Sequence, residues 1–238
     1  MIYLNGEQAT KKWLAGKLEH VIWSNDEKEI IRQVERSKEY GFRVVFSPNH
    51  HWHSLVHDLL NGTGIIMSTP INFPDGRMPC AAIGKQAEIA YKAGCRSVDM
   101  RPDMDAWEMR DWGKLTDSVR AVVDNFGDGE VKVMANCSGS LDDMYAMCDA
   151  IKAGGATHIK AYDEKKIGCP LNRIELLRKK CDELNIGLKA SGNGKYWTTA
   201  ICMGVFAAGA DYVSASNTFD IVDDLPYFES VYSHYHFE

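Results

Sequence analysis

The sequence predicts a (β/α)₈ barrel, and three observations predict it. Short apolar runs recur along the 238 residues at intervals of about 20–35 positions, each followed by an amphipathic helical pattern. Eight such strand–helix units fit between positions 18 and 216, and no linker or low-complexity stretch interrupts them. No Gly-x-Gly-x-x-Gly follows the first strand, which counts against the alternative, an open doubly wound sheet.

Positions 1–17 are polar and lysine-rich, with a short helical pattern at 9–14, and read as a capping segment. The first strand is 18–23. Ser24-Asn-Asp-Glu27 supplies a cap and first-turn acids, and Ile30, Ile31 and Val34 give one apolar helical face that ends at Tyr40-Gly41. The second strand is 42–46, followed by Ser47-Pro48 and a histidine-rich helix to Leu60. The third is 64–67, with a loop at 72–76 and a helix at 81–93 closed by Gly94. The fourth is 95–100, followed by one long helix over 107–126. Strand 130–135 and helix 141–153 come next, closed by Gly154-Gly155. The sixth strand, 156–160, is followed by helix 171–184, and the seventh, 186–190, by helix 196–208, which Gly209 stops. The eighth is 210–214, and 217–232 holds a last short helix. The expected organisation is one domain over 1–238: cap 1–17, barrel 18–216 and C-terminal segment 217–238.

Apolar residues make up 45% and charged residues 25% of the chain, ordinary for a globular enzyme. A net charge of −6 gives no general attraction to nucleic acid or to an anionic membrane. No run approaches the roughly 20 apolar residues that span a bilayer, and the N-terminus lacks a signal-peptide layout. Seven scattered cysteines without a Cys-x-x-Cys pair suit reduced thiols in a cytosolic protein better than a disulfide frame or a zinc site.

Active sites of such barrels lie at the C-terminal ends of the strands. There this sequence places Ser47, Asp99, Arg101, Asn136, Lys160, Lys189, Ser214 and Ser216, with Lys132 inside its strand at the parity that points inward. Lysines ending buried strands are costly unless paired or used. A lysine of ordinary pKa, about 10, is protonated and not nucleophilic, but desolvation and a neighbouring cation both lower that value. Lys160 with Lys189 as the cation and Asp99 as proton shuttle forms an imine-forming set. The same spacing also permits a plain ion-pair cluster in which both lysines hold Asp99.

The chain resembles the deoxyribose-phosphate aldolases, class I aldolases on a (β/α)₈ barrel. The resemblance is carried by Glu19-His-Val-Ile-Trp, Glu39-Tyr-Gly-Phe, Asn72-Phe-Pro-Asp-Gly, Ala93-Gly-Cys-Arg-Ser-Val-Asp99, Val131-Lys-Val, Ala153-Gly-Gly-Ala-Thr-His-Ile-Lys160, Gly187-Leu-Lys-Ala-Ser-Gly192 and Ala208-Gly-Ala-Asp. It runs from about Leu18 to Ser216, and order and spacing together make it specific. It implies that Lys160 forms the Schiff base, that Lys189 keeps the Lys160 amine neutral and that Asp99 moves protons. It implies a substrate like 2-deoxyribose 5-phosphate, cleaved to glyceraldehyde 3-phosphate and acetaldehyde. No metal or organic cofactor is implied, because the imine is itself the electron sink. The partners expected are a small aldehyde or sugar (phosphate) and a second copy of the chain, a dimer first, with no nucleic acid and no membrane.

The sequence departs from the family around the phosphate. The family follows its Schiff-base lysine with Thr-Ser-Thr-Gly, where this chain has Ala161-Tyr162-Asp163-Glu164. Two acids repel a phosphate unless they turn to solvent or pair with Lys165 and Lys166. Gly-Gly-Ile-Arg after the seventh strand is here Gly192-Asn193-Gly194-Lys195, so an anion site of glycine amides and one cation is still expected there. Gly-Thr-Ser-Ser after the eighth becomes Ser214-Ala215-Ser216-Asn217, the acid after the fifth becomes Asn136, and Asp-His in the first becomes Glu19-His20. Lys132 is assigned a supporting role near the imine. Arg101 stands where the family has an apolar residue, and its fork suits a carboxylate or a relocated phosphate, the alternative being a surface pair with Asp103 or Asp105. His50, His51, His53 and His57 have a metal-like spacing but no completing carboxylate, so packing or surface roles are expected. Trp107 and Trp112 read as helix packing or a dimer contact, and Cys137 as an inert thiol near the pocket. The expected function is a carbon–carbon lyase. A non-catalytic metabolite-binding relative and a Schiff-base barrel with transaldolase or dehydratase chemistry are the alternatives.

Overall fold

Parallel strands rich in valine, isoleucine and alanine need cover on both faces, and an open sheet of them leaves two edges unpaired. A computed structural model describes residues 2–163, 168–192 and 196–232, and in it the sheet closes on itself. Ahead of the barrel, β1 (Tyr3–Leu4) and β2 (Glu7–Gln8) form an antiparallel hairpin, and α1 (Lys11–Gly16) leads into the first barrel strand. The barrel strands are β3 (Leu18–Val21), β4 (Val44–Phe46), β5 (Ile66–Ile71), β6 (Ser97–Met100), β7 (Glu130–Asn136), β8 (His158–Tyr162), β9 (Gly187–Ser191) and β10 (Tyr212–Ala215). All neighbours pair in parallel, and β10 returns to β3 with Val213 opposite Leu18. The (β/α)₈ expectation therefore holds.

Around the ring lie α2 (Glu27–Tyr40), α3 (His53–Leu60), α4 (Cys80–Lys92), α5 (Met104–Met109), α6 (Trp112–Val123), α7 (Leu141–Ala153), α8 (Leu171–Leu184) and α9 (Thr199–Ala207), followed by α10 (Thr218–Asp223) and α11 (Leu225–Tyr232). The apolar set of each strand, such as Val131, Val133 and Ala135 of β7, is buried in one core with Leu115, Val119 and Val122 of α6 and Met144, Met147 and Ile151 of α7. The alternate set meets inside the barrel, where side chains from strands that are not neighbours touch: Lys132 of β7 reaches Glu19 of β3, and Lys189 of β9 reaches Asp99 of β6. Period-2 alternation thus sends hydrocarbon outward to the helices and charge inward. Among the described residues no helix is long and apolar enough to cross a membrane.

Several boundaries differ from the sequence reading; the last helix, for one, is two, α10 and α11. The long helix expected over 107–126 is two helices. Arg110 ends α5 in the left-handed region (φ 55°), Asp111 caps α6 by accepting from the Lys114 amide at 2.9 Å, and Arg110 is held by Asp143 of α7 at 2.7 and 2.8 Å. The third strand extends to Ile71, because Pro70 still pairs in register with Asp99 of β6. The histidine-rich helix begins as a 3₁₀ turn over His50–Trp52 before α3. The N-terminal segment carries the β1–β2 hairpin, turned at Asn5 (φ 50°) and Gly6 (φ 83°), the positive φ pair of a type I′ turn.

Candidate active site

A column of ion pairs runs through the barrel. At one end Arg43 joins Glu130 and bonds Glu19 at 3.0 Å. Glu19 accepts from Lys132 at 2.5 Å and pairs with Lys189. Lys189 donates to both oxygens of Asp99 at 2.9 and 2.8 Å, and Asp99 accepts from Lys160 at 2.7 Å. Strand register sets this order: Asp99 lies beside Lys132, and Lys160 beside Lys189. The column holds four cations, Arg43, Lys132, Lys160 and Lys189, against three carboxylates, Glu19, Glu130 and Asp99. It balances when one lysine is neutral.

The partners set the direction in which each lysine is shifted. Burial pushes Lys160 down, Asp99 pulls it up and Lys189 pushes it down again; the outcome is below the ordinary value. Burial also pushes Lys189 down, but Asp99 and Glu19 together lift it above the ordinary value, so it remains charged. Lys132 is lowered, by burial first and with Glu19 opposing. Asp99, whose burial is outweighed by Lys160 and Lys189, is held well below the usual carboxylate range. For Glu19 burial acts upward, but Lys132 and Lys189 bring it from 4.5 down to about 2. A carboxylate depressed on folding adds stability that is complete above its unfolded pKa and disappears as pH falls through its folded one. Glu19 should therefore contribute about 3 kcal/mol, lost between pH 4.5 and about 2. Glu19→Gln should flatten the acid limb of a stability-against-pH curve in that window, and an unchanged limb would exclude Glu19 as its source.

The C-terminal mouth of the barrel opens into a cavity of about 890 Å³. Lys160 and Asp99 line its floor, while Lys132 and Lys189 do not reach it. Lys160 has 8% of its side chain exposed, and Lys132 and Lys189 have none. The ion-pair cluster is thus real, and one of its lysines faces open space. Arg101, Gly192, Ser214 and Ser216 also line the cavity. Gly194 and Lys195 lie outside the described residues. Four expectations need correction. Lys132 does not stand beside an incoming carbonyl; it is sealed beneath the floor holding Glu19. Asn136 lies outside the cavity lining and turns back to cap its own loop, accepting from the Ser138 amide at 2.9 Å. Nor does Cys137 line the cavity; its buried thiol lies 3.6 Å from the Ala135 carbonyl. Arg101 does not pair with Asp103 or Asp105, because Lys114 and Arg77 hold those acids.

Tyr162 and Asp163, read from the sequence as part of the altered phosphate segment, line the cavity. Other lining residues were not singled out in the sequence, among them Ser191, which ends β9. Val21, Trp23, Phe46, Ile71, Phe73 and Ile89 make the wall on the β3–β5 side apolar, and Trp23, Phe73 and Ile89 are exposed at its rim. His50 and His53 stand on the same side. His53 bonds the Ser47 carbonyl at 3.1 Å, and among the described residues no cluster of three or more His, Cys, Asp or Glu is placed to hold a metal. Glu19 was visible only as a motif residue. An acid at an inward position of a buried strand was its one local signal.

No family model matches the sequence. The deoxyribose-phosphate aldolase of Micrococcus luteus is 30% identical over 206 residues, covering 82% of this chain and 88% of that protein. The deoxyribose-phosphate aldolase of a Geobacillus species is 28% identical over 214 residues, covering 88% and 95%. Among solved structures, the tetrameric deoxyribose phosphate aldolase of Aeropyrum pernix superposes with a TM-score of 0.81 over 92% of this chain and 93% of that one, at 19% identity, and speaks for the fold. With the lysine–aspartate floor at the mouth of the barrel and a relative 30% identical over most of both chains, the protein belongs to the deoxyribose-phosphate aldolase family of lyases.

Proposed function

We propose that this protein is a class I aldolase that works through a Schiff base on Lys160, and that its substrate differs from 2-deoxyribose 5-phosphate. One observation carries the mechanism: Asp99 bridges Lys160 and Lys189 at the floor of the cavity, and of these two amines Lys160 alone faces it. The Lys160 amine, neutral more readily than an ordinary lysine, adds to the carbonyl carbon. The carbinolamine loses its oxygen as water, leaving an iminium. Retro-aldol cleavage breaks the adjacent carbon–carbon bond, releases one aldehyde and leaves an enamine on Lys160. Protonation at carbon and hydrolysis return the free amine and the second carbonyl product. Asp99, 2.7 Å from the Lys160 nitrogen, passes the protons, through water where distance requires it. Lys189 stays cationic beneath and keeps Asp99 ionised.

The altered substrate rests on two features of the mouth. The segment that binds phosphate in the resembling family is here Ala161-Tyr162-Asp163, and Tyr162 and Asp163 line the cavity. The apolar β3–β5 wall is poorly matched to a hydroxylated sugar phosphate. The test is borohydride reduction with a panel of aldehydes and oxo acids, read by intact mass. A single reduced adduct is expected on the wild type and none on Lys160→Ala. The trapping rate should rise with pH and level off at a lower pH than an ordinary lysine would require, because the Lys160 pKa is lowered. An adduct that persists in Lys160→Ala would sink the assignment, and no adduct with any carbonyl would favour a binding-only relative.

A further inference from the structure

Arg101 and Tyr162 form a second pair one layer above the catalytic one. Arg101 stands two residues beyond Asp99, and Tyr162 two residues beyond Lys160. Two strand residues rise about 6.6 Å, so the upper pair sits that far toward the mouth. Arg101 Nη2 donates to the Tyr162 hydroxyl at 3.1 Å, across the intervening strand β7, and the guanidinium lies 5.2 Å from the tyrosine ring centre. Arg101 Nε is buried and has no hydrogen-bond partner, and among the described residues no carboxylate pairs with the guanidinium. A charged fork at a cavity wall, with a buried N–H unmatched, is costly unless a ligand completes it.

The backbone that carries the fork is fixed on both sides. The Arg101 amide donates to the Ile71 carbonyl at 3.0 Å, and its carbonyl accepts from Asn72 Nδ2 at 2.9 Å. Gly76, at φ +70°, packs so closely that a Cβ there would lie 2.6 Å from the Pro102 carbonyl and 3.0 Å from Arg101 Cγ. Such a position is preorganised rather than a loose surface arginine.

Resting on the Schiff-base reading above, we propose that the substrate is a carbonyl acid whose carboxylate is gripped by Arg101, a few bonds from the carbon that Lys160 attacks. The chemistry favours a carboxylate over a phosphate. One guanidinium offers one positive charge and a planar pair of donors, which matches a carboxylate. A phosphate wants more donors, and the chain beyond Arg101 supplies none. Pro102 has no N–H, and Asp103 occupies the start of α5, accepting from the Ala106 amide at 2.9 Å. The neighbouring Asp163 accepts from Ser138 Oγ at 2.9 Å.

The experiment compares half-saturating concentrations for borohydride trapping of glyoxylate, pyruvate and succinic semialdehyde with those for acetaldehyde, propanal and deoxyribose 5-phosphate. The carboxylates should saturate at least about tenfold lower than the neutral aldehydes. Arg101→Gln should collapse that ratio by about tenfold, and Arg101→Lys should restore part of it. Equal effects on acids and neutral aldehydes would overturn the proposal, as would a loss confined to deoxyribose 5-phosphate. Should no compound trap, the Schiff-base reading fails on its own. Calorimetry with unreactive succinate then decides: binding abolished in Arg101→Gln supports the carboxylate site, and absent or unchanged binding refutes it.

Discussion

Lys160→Met is expected to lower kcat by about four orders of magnitude or more while leaving the protein as stable as the wild type, or more stable. The first half follows from the nucleophilic role proposed for the amine. Removing a covalent nucleophile leaves no alternative route of comparable rate, since the remaining groups only bind and polarise. The second half follows from the charge column, in which four cations face three carboxylates. Deleting Lys160 leaves three of each. Asp99 is not orphaned, because Lys189 still donates to both of its oxygens. Methionine fills a comparable volume without the cost of burying an amine. A steady-state assay beside a thermal melt checks both halves. A large drop in Tm would mean that Lys160 is a structural ion-pair partner, and retained turnover would mean that it is not the nucleophile. Stability sacrificed at a functional group is what distinguishes a catalytic lysine from a paired one.

How much of this was legible before the structure depended on distance along the chain. Lys160, Lys189 and Asp99 lie at or past the middle of buried strands, two of which run one or two residues further than the sequence suggested, and a period of two fixes which way each points, so local pattern was enough. Arg101 was legible for the same reason, two positions past Asp99. Glu19 was not, because its partner Lys132 lies 113 residues away and only the closure of the ring brings β3 and β7 face to face. Lys132 was misplaced for a related reason. Parity sends it inward, but depth along the axis is set by the stagger of the strands, which no local pattern encodes. The break at Arg110 carries neither glycine nor proline, and depends on Asp143 of another helix. The apolar wall is assembled from single residues at the ends of three strands and on α4, each unremarkable in its own segment.

Glu19→Gln tests whether the column is one unit. Glutamine keeps the shape of the side chain and removes the charge that Lys132, Lys189 and Arg43 share. Breaking a buried pair by removing one partner typically costs about 3–5 kcal/mol, because the remaining charges are stranded. For a chain of this size that is a fall in Tm of roughly 6–20 °C. The loss should be repaired in large part by adding Lys132→Met, which takes away one of the stranded cations, so the double variant should melt well above Glu19→Gln alone. Activity should behave differently. Lys189 owes its raised pKa to Asp99 and Glu19 together, so without Glu19 it holds its proton less firmly. Asp99 then loses part of the charge that keeps it ionised, and the amine of Lys160 loses part of the push from Lys189. The double variant should therefore recover stability without recovering the pH profile of the wild type. If stability and pH profile returned together, Glu19 would act only as a packing partner of Lys132, and the chain of charge from the barrel floor to Lys160 would be broken at that point.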